Sequence, residues 1–217
     1  GKLAATNATC AQGREQSPIN IVSSQVIEDK KIGGKQINYM PTTFTLHNNG
    51  HTIQANAITE KNRLVVEGKQ YKLAQFHFHT PSEHQFNGQY YDIELHFVHK
   101  DESGNLAVLG VMIEEGRKNE VLATVWESLP KKESKKEVSK KYFIHLHELL
   151  PQKQMAYHYN GSLTTPPCTE EVKWIVFEQP IEMSKEQIKA FQQIYTNNHR
   201  PIQPLNERAV IKECHRK

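Results

Sequence analysis

The chain has 217 residues, 37% hydrophobic and 24% charged, with a net charge of +3, enough length to bury a real core in one domain or two small ones. So weak a charge argues against a dedicated nucleic-acid binder, which carries a strong basic face. No apolar run approaches the ~20 residues of a membrane helix, and the opening "GKLAATNATC" has no signal-peptide pattern, so the chain is expected to be cytosolic or to have lost a leader already.

Strands dominate in chain order. Thr43–Ala57 alternates apolar and polar residues around an Asn49-Gly50 turn signal. "NRLVVEGKQYKLAQFHFH" reads as two strands around Glu67-Gly68, followed by "YYDIELHFVHK" and "LAVLGVMIEEG". A helix is predicted over Asn119–Leu129, with Val121, Leu122, Val125, Trp126 and Leu129 on one face. The lysine-rich Lys131–Lys141 reads as a solvated helix or loop. "EVKWIVFEQPI" is a late strand, and Ser184–Tyr195 opens with a Ser184/Gln187 capping box and turns Ile188, Phe191 and Tyr195 inward. With no repeat and no linker, 1–217 is expected to be one mainly β (α+β) domain with helices at its margins. Cys10, Cys168 and Cys214 lack CxxC spacing, which removes zinc-finger and thioredoxin readings; one bridge with an odd thiol and three reduced thiols both remain open.

Five of the 12 histidines fall between Phe76 and His99. Side chains two apart on a strand share a face, so His77 and His79 project with Gln75, away from Phe76 and Phe78. Likewise Glu94, His96 and Val98 share a face. A two-residue turn at Asn87-Gly88 would set His79 opposite His96 and His77 opposite Val98, bringing three imidazoles together. Pro81 threatens this register, because a one-residue bulge would send His96 to the other side. Three converging imidazoles suit Zn²⁺, which takes nitrogen ligands tetrahedrally and keeps a fourth position for water. Gln75 and Glu94 can accept the remaining ring N–H of His77 and His96 and so fix each tautomer. His84 and His99 fall outside this set and read as structural.

A rival exists. "HFHTPSEHQFNG" fits His-x-His-x3-Glu-x4-Gly and resembles the first metal motif of cupin barrels, in which Glu83 would itself bind iron or manganese in an oxygenase or isomerase. Against it, no Gly/Pro-punctuated second motif precedes His96, which follows Glu83 by only 13 residues.

The rest of the chain separates the two. "QSPINI", "NNGH", "QFHFH", "SEH", "ELHFVH", "LAVLG", "GSLTTPPC" and "RPIQPLN" occur in that order, from about Cys10 to Ile211. Together they resemble an α-class carbonic anhydrase, and the short "TP" link looks like the bacterial members. The resemblance implies a twisted, mostly antiparallel sheet with a zinc cleft at its centre. It implies a lyase for the reversible hydration of CO2 to bicarbonate and a proton through zinc-bound hydroxide. His77, His79 and His96 match the zinc ligands; Gln75, Glu94 and a backbone carbonyl near Asn198 match their outer partners. Thr164 matches the threonine that accepts from the hydroxide and donates to the buried glutamate, here Glu83. Val98, Val108, Leu163, Val172 and Trp174 match the apolar wall for CO2, and Thr165 the contact to bicarbonate. In carbonic anhydrase zinc is known to take the pKa of water from ~15.7 to ~7. Proton loss to water alone would cap turnover near ~10^3 s⁻¹, so a relay base is needed, and His51 in "NNGH" matches it.

Cys10 and Cys168 match the paired cysteines of exported members, which implies a periplasmic or secreted enzyme, monomer or homodimer, inhibited by sulfonamides, with Cys214 left as a thiol. CO2 and bicarbonate are the partners implied; neither nucleic acid nor a membrane span is. Family members usually carry an aromatic segment well before the first cysteine. Only nine residues, none aromatic, precede Cys10 here, which implies a more open cleft lip. A non-catalytic carbonic-anhydrase-like binding domain is the third reading, though such members tend to lose a zinc histidine.

Overall fold

The computed structural model describes residues 7–32, 34–135 and 138–214, the backbone alone at 138 and 139. Fifteen strands are present among them: β1 (Asn20–Ile21), β2 (Ile27–Asp29), β3 (Gln36–Asn38), β4 (Thr42–Asn48), β5 (Ile53–Ala57), β6 (Arg63–Val66), β7 (Lys69–His79), β8 (Gln85–Phe86), β9 (Ile93–Lys100), β10 (Leu106–Glu115), β11 (Val138–Ile144), β12 (Ala156–Gly161), β13 (Val172–Phe177), β14 (Ile181–Met183) and β15 (Ile211–Glu213). Three α-helices accompany them: α1 (Ala8–Gln12), α2 (Ala123–Trp126) and α3 (Lys185–Gln192). The main sheet runs β11-β4-β5-β7-β9-β10-β13-β12-β15-β2, with β14 beside β10, β6 beside β7 and β3 beside β6. Most neighbours are antiparallel; β10–β13, β10–β14 and β15–β2 are parallel.

The long central strands carry two hydrophobic layers. Phe76 and Phe78 of β7 and Leu95 and Phe97 of β9 enter a large core with Phe44, Leu109, Ile175 and, from α3, Ile188 and Phe191. The alternate residues face the other way. There Val98, Val108, Met112, Tyr159, Val172 and Trp174 form a second apolar cluster. Strand β9 is buried from Ile93 to His99 because it is covered on both faces.

Three sequence expectations change. The 119–129 helix shrinks to α2, although Leu122, Val125, Trp126 and Leu129 are buried as its periodicity requires. Asn119 lies before α2, its Oδ1 accepting from Leu122 N at 3.2 Å and its backbone N–H donating to Gln187 Oε1 at 2.8 Å. The lysine-rich segment becomes strand from Val138, because buried Tyr142 and Ile144 alternate with exposed Lys141 and Phe143 along β4. Pairing with a neighbour overrides local propensity there. The third change is the register of the histidine strands: His77 lies opposite His96, and His79 opposite Glu94. The chain leaves the ladder after His79. Ser82 N bonds Tyr91 O, and β8 pairs with β1, so Asn87-Gly88 closes only the Phe86–Gln89 bridge. The offset is two residues, so every side chain keeps its face.

The capping box forms as expected, with Gln187 N bonding Ser184 Oγ and Ser184 N bonding Gln187 Oε1.

Candidate metal centre and cleft

The alternation of β7 and β9 brings His77, His79 and His96 together, with ring centroids 4.8–5.2 Å apart. One nitrogen of each lies within 4.8 Å of the others. The second nitrogen of each ring is occupied. His77 Nδ1–H donates to Gln75 Oε1 at 2.7 Å, His79 Nδ1–H to the Asn198 carbonyl at 2.8 Å, and His96 Nε2–H to Glu94 Oε2. These bonds leave His77 Nε2, His79 Nε2 and His96 Nδ1 as lone-pair donors toward a common centre. His79 Nε2 is buried without a hydrogen-bond partner, which a ligand nitrogen would be and a structural histidine would not. The residues therefore fit a tetrahedral, nitrogen-preferring cation such as zinc.

The electrostatics agree. Burial, with the neighbouring imidazoles, holds His77 well below the ordinary histidine range, and burial lowers His79 against the pull of Glu83. Neutral rings are the ligating form. At Glu94, burial works to raise the carboxyl pKa, but His84 and His96 outweigh it and hold it well below the usual range. At His96, burial works downward and is outweighed by Glu94, so its pKa is raised. His84 extends this network: it bonds Glu94 through its backbone N and Nδ1, both at 2.8 Å, and the Tyr159 hydroxyl at 2.6 Å. His84, Glu94 and His96 also cluster within 4.8 Å, but they hold one another by hydrogen bonds and so form a support, not a second cation site. His84 is structural, as expected. His99 is too, buried between Tyr39 Oη and the Ala107 carbonyl.

Above the histidines opens a cleft lined on one side by Val98, Val108, Leu163 and Trp174, and on the other by Asn49, His51, Thr52, Gln54 and Gln75, with Thr164 and Thr165 at its rim. Trp174 braces the floor, its ring 4.9 Å from those of both His96 and His84 and its Nε1–H bonded to Ser162 O. Gly161 permits this packing; a Cβ there would come within 2.0 Å of Ser17 Oγ and 2.8 Å of Trp174. Thr164 and Thr165 ride on a short loop closed by Leu163 N to Thr169 O and Cys168 N to Thr165 O. The Cys10–Cys168 disulfide, 158 residues apart in sequence, anchors its end, and Cys214 is a free thiol.

Val172 alternates with Trp174 on β13 and packs in the same apolar cluster as Val98, Val108 and Trp174, but it is not among the residues that line the cleft. Nor is the Thr164–Glu83 hydrogen bond formed. Glu83 Oε1 has no hydrogen-bond partner, lies 3.3 Å from His79 Nε2 and 3.9 Å from His96 Nδ1, and its Oε2 accepts from Arg200 N at 2.7 Å. One oxygen of this buried carboxylate is thus satisfied by a backbone donor, while the other faces the ring nitrogens turned to the common centre. Glu83 neither lines the cleft nor joins the three-histidine group, so the cupin arrangement is not the one built.

Sequence reasoning missed Arg200, Ser17, Asn49 and Gln54. Arg200 reaches Gln16, Ser17 and Cys10, tying the N-terminal segment to the loop behind Glu83. The Asn198 side chain is a further surprise: it accepts from Thr80 N and donates to His51 O at 2.9 Å and Phe78 O at 3.1 Å. From that loop the sequence implies only a carbonyl partner for His79.

The sequence model of the family described as "Eukaryotic-type carbonic anhydrase" matches residues 4–214. A protein of Nostoc sp. named carbonic anhydrase is 40% identical over 215 residues, covering 98% of this chain and 81% of that protein. One from Neisseria gonorrhoeae with the same name is 39% identical, covering 98% and 82%. The α-carbonic anhydrase of Thermovibrio ammonificans, solved with sulfanilamide, superposes with a TM-score of 0.91 at 42% identity, covering 97% of this chain and 92% of that one. With the fold, the motif order and the three-histidine centre all in agreement, the chain belongs to the α-class, or eukaryotic-type, carbonic anhydrase family.

Proposed function

We infer that the chain is a carbonic anhydrase, a lyase that hydrates CO2 reversibly to bicarbonate and a proton, with zinc as the metal of His77, His79 and His96. The observation that carries this is the centre itself: three ring nitrogens converging within 4.8 Å, each ring's other N–H held by an acceptor, under a cleft with one apolar wall. Zinc, when bound, supplies the positive charge that makes water acidic near neutral pH. The protein supplies the rest. CO2 has no dipole and no donor, so Val98, Val108, Leu163 and Trp174 offer it a surface that does not compete with water. Bicarbonate is anionic and takes hydrogen bonds, which the hydroxyl of Thr165 at the rim can give. His51, at the cleft mouth and exposed, carries the proton onward to buffer. The Cys10–Cys168 bridge supports a periplasmic or secreted setting, where such bonds persist.

Metal analysis with stopped-flow CO2 hydration tests this reading. One zinc per chain, hydration blocked by a sulfonamide, and loss of both metal and activity in His96→Ala are expected. A metal-free protein that does not take up zinc, or a zinc-loaded protein no faster than buffer, refutes it.

A further inference from the structure

The charge of the molecule is concentrated on one rim. Segment 131–141 carries six lysines and two glutamates, net +4, in a chain of net +3, so all the rest carries −1. Among the described side chains, Lys131, Lys132, Lys135, Lys140 and Lys141 are exposed. Among the described residues none of the five takes part in an ion pair. The acid between them, Glu133, lies against Gly50, where an added Cβ would come within 2.8 Å of its carboxyl.

These lysines are gathered, not scattered. The loop before β11 is pinned to the end of β4, with Asn48 Nδ2 donating to Pro130 O and Ser134 N donating to Asn48 O. Strand β11 then runs back along β4 as the outermost strand of the sheet. Lys141 pairs with Thr45, Thr45 with Asn56 and Asn56 with Gln75, so Lys141 shares the sheet face on which the cleft opens.

Lysines on an outer strand commonly do no more than prevent sheets from joining edge to edge. That account does not cover Phe143. It is 65% exposed, on the same face as Lys141, with the exposed His145 ring edge-on at 5.5 Å. Ile58, just past the end of β5, is 47% exposed as well. A protective edge gains nothing from bare apolar side chains, and a soluble polyanion offers them no site. Exposed lysines outside any described ion pair, with Lys140 Nζ over the Tyr142 ring at 5.1 Å, beside bare apolar side chains match a surface with negative headgroups above hydrocarbon.

We propose that the β11 rim, through Lys131, Lys132, Lys135, Lys140, Lys141 and Phe143, docks the protein reversibly on bilayers that contain anionic lipid. Each lysine near such a surface is worth about fivefold in partitioning, and the attraction is screened by salt.

The test is co-sedimentation of the full chain with vesicles of pure phosphatidylcholine, and with vesicles about one third phosphatidylglycerol. Binding is expected only to the anionic vesicles and is expected to fall steeply in ~1 M salt. K140Q/K141Q should weaken it about 25-fold, and K131Q/K132Q, in the loop and clear of the strand, by a similar factor. F143S should weaken it about tenfold or more. Unchanged thermal midpoints confirm that the variants are folded. Absence of binding to anionic vesicles, binding that ignores these substitutions, or retention on dextran sulfate without retention on vesicles overturns the proposal.

Discussion

Glu94 holds the histidine centre from behind, and changing one of its atoms should have two measurable effects. The carboxylate is fully buried and accepts three hydrogen bonds, from His84 N to Oε1 and from His84 Nδ1 and His96 Nε2 to Oε2. In Glu94→Gln the amide oxygen can keep the bond to His84 N. The NH2 then faces two ring nitrogens that now donate. Two charge-assisted bonds are lost, at about 1.5–3 kcal/mol each, so the metal-free protein should lose about 3–5 kcal/mol, the range for breaking a buried charged pair. The alternative for His96 is to move its proton to Nδ1, the nitrogen turned toward the metal position. That proton competes with the metal, so zinc affinity should fall about 10–100-fold. Urea unfolding of the metal-free proteins and chelator competition for zinc read the two effects separately. The reasoning fails if the variant unfolds within about 1 kcal/mol of the parent and binds zinc as tightly. The pH dependence has a definite sign. Glu94's folded pKa is depressed, so its stabilisation is present above the unfolded carboxylate pKa and drains away as pH falls below it.

Three other outcomes are expected. Burial lowers His99 to about 4, so between there and ~6.5 the unfolded chain binds the extra proton and stability rises with pH, by about 3 kcal/mol in all; His99→Gln should flatten stability against pH in that window, and an unaltered profile contradicts it. Cys10→Ser opens a loop of 158 residues, which by loop entropy costs about 5 kcal/mol; a denaturation midpoint equal to the parent's, under non-reducing conditions, refutes it. His51→Ala should bring turnover in dilute buffer down toward ~10^3 s⁻¹, the ceiling for proton loss to water, and added imidazole should restore it; a rate unchanged without imidazole removes His51 from proton transfer.

What the sequence made legible follows from the range of each interaction. Alternation on a strand is local, so the faces of His77, His79, Glu94 and His96 could be read from two short stretches, and a two-residue error in register left them intact. Helix extent is less local. The periodicity over 119–129 marks the buried face correctly, but regular helix covers only Ala123–Trp126. The strand at Val138 depends wholly on β4, which no property of a lysine-rich segment announces. Glu83 was recognisable by resemblance, yet its bond to Arg200 N comes from a distant segment whose spacing no pattern fixes.

The loop at 198–200 shows why the outer partners matter as much as the ligands. Asn198 accepts the His79 proton with its carbonyl, and its side chain grips Thr80 N, Phe78 O and His51 O. One residue thus sets the orientation of a metal ligand and the position of the turn that carries His51. Two residues later, Arg200 gives its backbone N–H to Glu83 and its guanidinium to Gln16, Ser17 and Cys10, and Cys10 is bonded to the loop that presents Thr164 and Thr165. The sheet supplies rigid ligands on two adjacent strands. A chain of hydrogen bonds and one disulfide places the proton acceptor at one end of the cleft and the threonines at the other. Such a site is stiff where it ligates and adjustable at its rim, because the rim hangs on side chains from distant loops that can be exchanged without altering the pairing of β7 with β9.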